Sequence, residues 1–94
     1  ANPVSGADAL CRDYLALSGD DARRLGPPEL LEQAAQALLA MSPRTETALE
    51  LLRHRSMLVR GRAILDCLAR SAEDWALEAL ATEAPHALAW RVNR

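Results

Sequence analysis

The residues best suited to do chemistry in this sequence are basic side chains near its middle: Arg53, His54, Arg55, Arg60 and Arg62. Between Arg44 and Arg70 the chain has six arginines and three acids, and the flanking segments are net acidic. Guanidinium groups bind carboxylates and phosphates through paired N–H donors. The cluster therefore fits a docking patch for an acidic partner, although such a run of charge also serves simply to solvate a helix face.

A protein is the favoured partner for this patch. No aromatic residues alternate with the arginines, as they do where bases stack on a protein surface. The net charge of the chain is −2, which gives no general attraction to nucleic acid or to an anionic membrane. Trp75 and Trp90 are further candidates for partner contact, because tryptophan is enriched at interfaces; packing in the core is the alternative for both.

No catalytic, metal or cofactor site is expected. His54 and His86 have no Cys or acidic residue at metal-ligand spacing. The paired acids Asp20–Asp21 and Glu73–Asp74 fall at helix starts, where negative charge meets the helix dipole. The serines also fall at helix starts, none in a Gly-x-Ser-x-Gly elbow, and the four glycines are dispersed. The chain is therefore not expected to be an enzyme.

Length and composition indicate one all-α domain over residues 1–94. Half of the residues are hydrophobic, only 3% are aromatic, and there is no Phe. Ala and Leu, the best helix formers, supply most of the apolar residues. Every basic residue other than histidine is Arg, which is typical of GC-rich codon usage and suggests a bacterial protein.

The two cysteines and the absence of membrane signals suggest the cytoplasm. Cys11 and Cys67 are too few for a disulfide framework, and both fall on or beside apolar helix faces. We expect them to be reduced, buried and slow to react. No signal peptide and no apolar run of membrane-spanning length is visible in the sequence.

The chain is expected to form a compact stack of antiparallel helical hairpins with about six to seven helices. Ser-x-x-Asp sequences at Ser5, Ser18 and Ser71 predict helix starts, as do Ser42-Pro43 and Ser56. Gly26 is expected to end the second helix in left-handed geometry. The clearest apolar stripe, in the helix from about Pro28 to Met41, contains Leu30, Leu31, Ala34, Ala35, Leu38 and Leu39.

The helix that begins at Ser56 carries a second stripe. Its apolar residues at helical spacing are Met57, Leu58, Gly61, Ile64, Leu65 and Leu68, which we expect to face the core. Arg60, Arg62, Asp66 and Arg70 are expected on the solvated side. Opposite charges spaced four apart there, such as Arg62 and Asp66, are positioned to pair.

An internal repeat links the two halves of the C-terminal region. Segments opened by Ser42 and Ser71 both contain Ala-Leu-Glu, at Ala48 and Ala76, followed by a turn and a second apolar segment. The period is 28 or 29 residues, depending on the position used for alignment. Self-similarity of this kind is typical of stacked helical hairpins.

Leu51-Leu52, Val59-Arg60-x-x-Ala63 and Leu68 together resemble the HEAT-type α-solenoid motif, over about residues 42–94. His54 and Arg55 stand where that family usually has Asp in the turn. The resemblance implies a scaffold that presents a curved surface to a protein partner; a minority of such proteins bind nucleic acid. The third helix is also similar to the second helix of a tetratricopeptide repeat, without that motif's aromatic markers in its partner helix.

The leading functional hypothesis is therefore a non-catalytic adaptor that binds another protein. The alternatives are a small nucleic-acid-binding domain that uses the Arg53–Arg62 patch, and a secretion-type chaperone, since such chaperones are often small, acidic and helical. Neither the partner nor the oligomeric state follows from the sequence.

Overall fold

The computed structural model describes the backbone of residues 3–92 and the side chains of residues 6–89. This part of the chain forms seven helices and no strand: α1 Pro3–Leu15, α2 Gly19–Leu25, α3 Glu29–Met41, α4 Thr45–Leu52, α5 Met57–Ala69, α6 Asp74–Glu83 and α7 Pro85–Val92. The all-α prediction with six to seven helices is confirmed.

Six of the seven helices form two packed layers, and α2 packs outside them with few contacts to the other helices. α1, α3, α5 and α7 lie side by side in one layer, and α4 packs beside α6 in the other. α4 also contacts α3 and α5, and α6 contacts α5 and α7, so α4–α5 and α6–α7 are helical hairpins. The Cα atoms extend over 39 × 32 × 18 Å. The shortest dimension fits two layers, because packed helix axes lie about 8–10 Å apart.

Small side chains dominate the core between the layers. Ala48, Ala76, Ala79 and Ala87 have no exposed surface, and the buried leucines fill the space around them. The buried leucines are Leu15, Leu38, Leu39, Leu51, Leu52 and Leu80. Alanine permits close approach of helix backbones, which explains how a chain without Phe still buries a continuous core.

The predicted serine caps are partly confirmed. The Ser18 hydroxyl accepts a hydrogen bond from Asp21 N–H at 3.1 Å, and the Ser56 hydroxyl accepts one from Leu58 N–H at 3.2 Å. The prediction is wrong for Ser5, because α1 begins at Pro3, where a proline fits the first turn. It is also wrong for Ser71, because a further turn delays the start of α6 to Asp74.

The predictions for Ser42 and Gly26 are each correct in part. Ser42 follows the last residue of α3 as its C-cap, since the helix ends at Met41, but it does not cap α4; its buried hydroxyl lies 3.0 Å from the Thr47 hydroxyl. Gly26 ends α2 with a φ of 170°, which is extended rather than left-handed. A Cβ atom at Gly26 would meet the end of the Leu30 side chain, which would have to shift to make room.

The predicted core face of α5 is wrong for Met57, Leu58 and Leu65, whereas Ile64 and Leu68 are half-buried and pack against the core. Leu65 was expected to be buried but is 53% exposed, and Met57 and Leu58 are exposed as well. The buried residues are Val59, Ala63 and Cys67, spaced four apart. α5 lies between α3 and α7 and packs on α4 and α6. Its inner side must be narrow at so crowded a position, so small side chains line the centre of the core face, while Met57, Leu58 and Leu65 face solvent.

The two copies of the proposed repeat have the same pattern of burial. Ala48 and Ala76 are both fully buried, and the four residues after each are half-buried, exposed, buried and buried in turn. Val59 and Ala87, each with no exposed surface, are also 28 positions apart. The two segments thus share a burial pattern at a spacing of 28 residues, and the repeat stays a prediction. The HEAT-type resemblance itself stays a prediction.

Both cysteines are free thiols; Cys67 is buried and Cys11 half-buried. Burial raises the pKa of Cys67 from an ordinary 9.0 to about 11, with a smaller contribution in the same direction from Asp66. Burial and then Asp8 raise the pKa of Cys11. The folded state therefore favours the protonated thiol at position 67.

Alkaline pH is consequently expected to destabilise the fold through Cys67. The thiol of the unfolded chain ionises near pH 9 while the folded one stays protonated to about pH 11. The contribution of this thiol to the free energy of unfolding is complete below pH 9. Between pH 9 and 11 that free energy falls by up to about 3 kcal/mol. Urea unfolding across this range should show a shallower loss of stability for Cys67→Ala than for the parent. Parallel curves for the two proteins would contradict the assignment.

Candidate interaction surface

The turn between α4 and α5 holds three of the predicted basic residues and is tied to the end of α1. His54 Nδ1 accepts a hydrogen bond from Ser56 N–H at 3.0 Å, so the proton of the neutral ring is on Nε2. Nε2 donates to the Leu15 carbonyl oxygen at 2.6 Å. Both ring nitrogens are therefore satisfied within the chain, and His54 acts as a clamp between α1 and this turn.

Arg60 braces the same turn from the first turns of α5. Its Nη1 donates to the carbonyl oxygens of His54 and Arg55 at 2.7 and 2.8 Å. These carbonyls lie just beyond the end of α4 and lack helical partners of their own. The charge of Arg60 is thus used inside the molecule to stabilise the turn.

Two other arginines of the predicted patch are paired with carboxylates. Arg53 forms an ion pair with Glu83 at the end of α6, and Arg62 pairs with Asp66 at 3.1 Å, as the four-residue spacing predicts. Arg55 is different. Its guanidinium is exposed, has no carboxylate partner among the described residues, and reaches only the Leu15 carbonyl at 3.5 Å.

The structure thus brings Arg53, His54, Arg55 and Arg60 to one end of the molecule, with Arg62 farther along α5. Arg55 is the one among these arginines that has neither a carboxylate nor a short carbonyl contact in the described part of the chain. The positive charge that this end offers to a partner is therefore concentrated at position 55.

Trp75 does not join this cluster. It lies in the first turn of α6, at the opposite end of that helix, where its carbonyl oxygen accepts a hydrogen bond from the Thr45 hydroxyl at 3.3 Å. Its side chain is half-buried against the core, its ring NH donates to Glu73 at 3.2 Å, and the Arg70 guanidinium lies 5.9 Å from its ring centre. The Trp90 side chain lies outside the described residues.

Part of the apolar stripe that was predicted to face the core from α5 faces solvent instead. We call this surface the α5 outer face; it comprises Met57, Leu58, Gly61, Ile64 and Leu65, and its borders are Glu32 of α3 and Arg62. Ile64 is its half-buried member and also packs against the core. Met57 is 76% exposed and Leu58 is 40% exposed. A Cβ atom placed on Gly61 would meet nothing within 4 Å, so a partner backbone has room to approach closely there.

Contiguous exposed apolar patches are a common feature of interaction sites on folded domains. The signal was present in the sequence as a second, smaller stripe of Val59, Ala63 and Cys67. When one helix carries two apolar stripes, the one with small residues can be the core face and the other a surface for partners.

Other kinds of site have little support in the described residues. Between residues 3 and 92, no three His, Cys, Asp or Glu side chains come together as potential metal ligands. None of the described helices is long and apolar enough to span a bilayer.

Comparisons with protein-family models, with curated proteins and with solved structures give no significant match.

Proposed function

We propose that this chain is a non-catalytic protein-binding module and that the α5 outer face is its main contact surface. The observation that carries the proposal is the exposure of Met57, Leu58 and Leu65 on one side of a single helix. Burying such residues against a partner gives about 25 cal/mol per Å² of apolar surface. Apolar residues that are exposed together on one helix face are typical of surfaces that a partner covers.

The form of the surface favours a helix as the contacting element. Met57, Gly61, Ile64 and Leu65 recur at helical spacing, so they form a ridge interrupted at Gly61 by a shallow depression. An amphipathic helix packs on such a ridge with its own residues at i, i+3, i+4 and i+7. The absence of a side chain at Gly61 lets the two helix axes approach closely at their crossing point.

The charges around this surface favour an acidic partner. Arg62 borders the α5 outer face, and Arg55 lies just before α5. Charged residues at the rim of an interface mainly raise the association rate. A nucleic-acid-binding role has less support, because Arg53, Arg60 and Arg62 are already engaged within the molecule. A bacterial, cytoplasmic adaptor with HEAT-like hairpins is the form of this proposal that we favour.

A charge placed on the α5 outer face at Leu65 is expected to weaken binding strongly. With Leu65→Glu, a partner would have to bury a carboxylate against apolar groups, and we expect the affinity to fall more than tenfold. The matched control is Ala81→Glu, which adds the same charge to an exposed position on α6 in the other layer.

The measurement is affinity capture from the native host with the parent, Leu65→Glu and Ala81→Glu chains as baits, quantified by mass spectrometry. Proteins retained by the parent and by Ala81→Glu should be lost with Leu65→Glu, while both variants keep the parent's melting temperature within a few degrees. Equal retention by all three baits would contradict the α5 outer face as the contact surface.

A further inference from the structure

A second concave site lies beside the basic turn. It is a cleft of about 240 Å³ between the end of α1, the helix α2, the start of α3 and the α4–α5 turn. Tyr14, Ala22, Leu31 and the Pro27-Pro28 pair form mainly apolar walls, and Arg55 lines the cleft as well. It is distinct from the α5 outer face, with which it shares no lining residue.

The size of the cleft determines what can occupy it. Sites for cofactors and drug-sized molecules generally measure about 300–1,000 Å³, so this cleft is small for them. It is large enough for one apolar side chain or for two small ones. Such side chains act as the anchors of peptide segments in protein interfaces. Its mainly apolar lining agrees with an anchor that has no charge of its own.

The charge at the cleft determines what must lie next to the anchor. Arg55 has no carboxylate partner among the described residues and makes only the 3.5 Å contact to the Leu15 carbonyl. Arg23, the other arginine lining the cleft, is already paired with Asp20 at 3.3 Å. A carboxylate that approaches the cleft would therefore find at Arg55 the available guanidinium for a charge-assisted hydrogen bond.

The walls are held in place before any ligand binds. Pro27 and Pro28 have fixed φ angles where the chain enters α3. On the other side, His54 clamps the turn that carries Arg55 to the end of α1. A site already in its bound shape loses little conformational entropy when it is filled.

We propose that this cleft binds a peptide segment of a partner protein, with an apolar side chain in the cleft and a neighbouring acidic residue paired with Arg55. The inference does not rest on the α5 outer face. The two sites are nevertheless adjacent, because Leu31 and Ser56 line the cleft while the next residues, Glu32 and Met57, line the α5 outer face. One partner chain is therefore able to occupy both.

Two capped dipeptides, acetyl-Glu-Leu-amide and acetyl-Gln-Leu-amide, test the proposal in nuclear magnetic resonance titrations of the ¹⁵N-labelled chain. We expect saturable shifts of the Gly19, Ala22 and Gly26 amide signals with both probes. The Glu probe should bind about three- to tenfold more tightly than the Gln probe, because its carboxylate forms a partly exposed, charge-assisted hydrogen bond with Arg55. With Arg55→Gln this difference between the probes should disappear while the Gln probe still binds.

Leu65→Glu is the matched control, since it disrupts the α5 outer face and leaves the cleft unchanged. It should bind both probes as the parent does, so a failure of the α5 outer face in the capture experiment leaves this result intact. The proposal is overturned if neither probe shifts the cleft amides, if both bind the parent equally well, or if the shifts map to α5 and vanish in Leu65→Glu.

Discussion

Replacement of Leu80 by alanine is expected to lower the free energy of unfolding by about 2–5 kcal/mol, whereas the same replacement at Leu65 should cost under about 1 kcal/mol. Leu80 has no exposed surface and lies on the core-facing side of α6, while Leu65 is 53% exposed on α5. The two variants remove the same atoms from helices, so they differ mainly in burial. A cavity is left at position 80, and almost none is created at position 65.

Urea unfolding followed by circular dichroism gives both values. The comparison examines the orientation of α5 directly, because the apolar stripe alone would make Leu65 a core residue. If Leu65→Ala destabilises the chain as much as Leu80→Ala, then α5 buries Leu65, and the α5 outer face is not available to a partner.

Removal of the His54 ring is the second large effect that we expect. His54→Ala leaves the Ser56 N–H and the Leu15 carbonyl oxygen without their partners. Loss of partners for half-buried polar groups costs about 1–3 kcal/mol, and here it also releases the end of α1 from the α4–α5 turn. Thermal unfolding should therefore show a clear fall in the melting temperature.

Arg53→Ala is the control for this variant, since Arg53 is the neighbouring residue and its ion pair with Glu83 lies on the surface. Pairs of this kind contribute about 0–1 kcal/mol. We expect Arg53→Ala to stay close to the parent. A His54→Ala variant as stable as Arg53→Ala would show that the ring is not a clamp.

The helical fold could be predicted because several local signals agree. Abundant Ala and Leu, the stripe on α3 and the caps at Ser18 and Ser56 all favour helices, and each acts within a few residues of chain. The stripe of α3 was assigned correctly, since Ala35, Leu38 and Leu39 are buried. That helix has a single broad apolar side, so only one orientation buries it.

The orientation of α5 could not be predicted in the same way. Leu58, Leu65 and Met57 form the more hydrophobic side, but Val59, Ala63 and Cys67 form the side that fits between four neighbouring helices. Hydrophobicity within one helix carries no information about how much space its neighbours leave. Packing against the neighbouring helices therefore sets the orientation of α5, and it leaves Met57, Leu58 and Leu65 exposed.

Which arginines of the candidate basic patch are available to a partner could not be predicted from the sequence either. Composition correctly marked residues 53–62 as basic, yet the availability of each guanidinium depends on distant residues such as Glu83 and Leu15. His54 likewise has a partner 39 positions away. Contacts over such separations follow from the arrangement of helices, which no local pattern contains.

Site-specific photo-crosslinking in cells tests the central claim most directly. p-Benzoylphenylalanine placed at Leu65 reports proteins in contact with the α5 outer face, and the same residue at Ala81 reports the opposite layer. We predict a discrete crosslinked protein from position 65 and none from position 81. Crosslinks of equal yield from both positions, or from position 81 alone, would contradict a binding surface on α5.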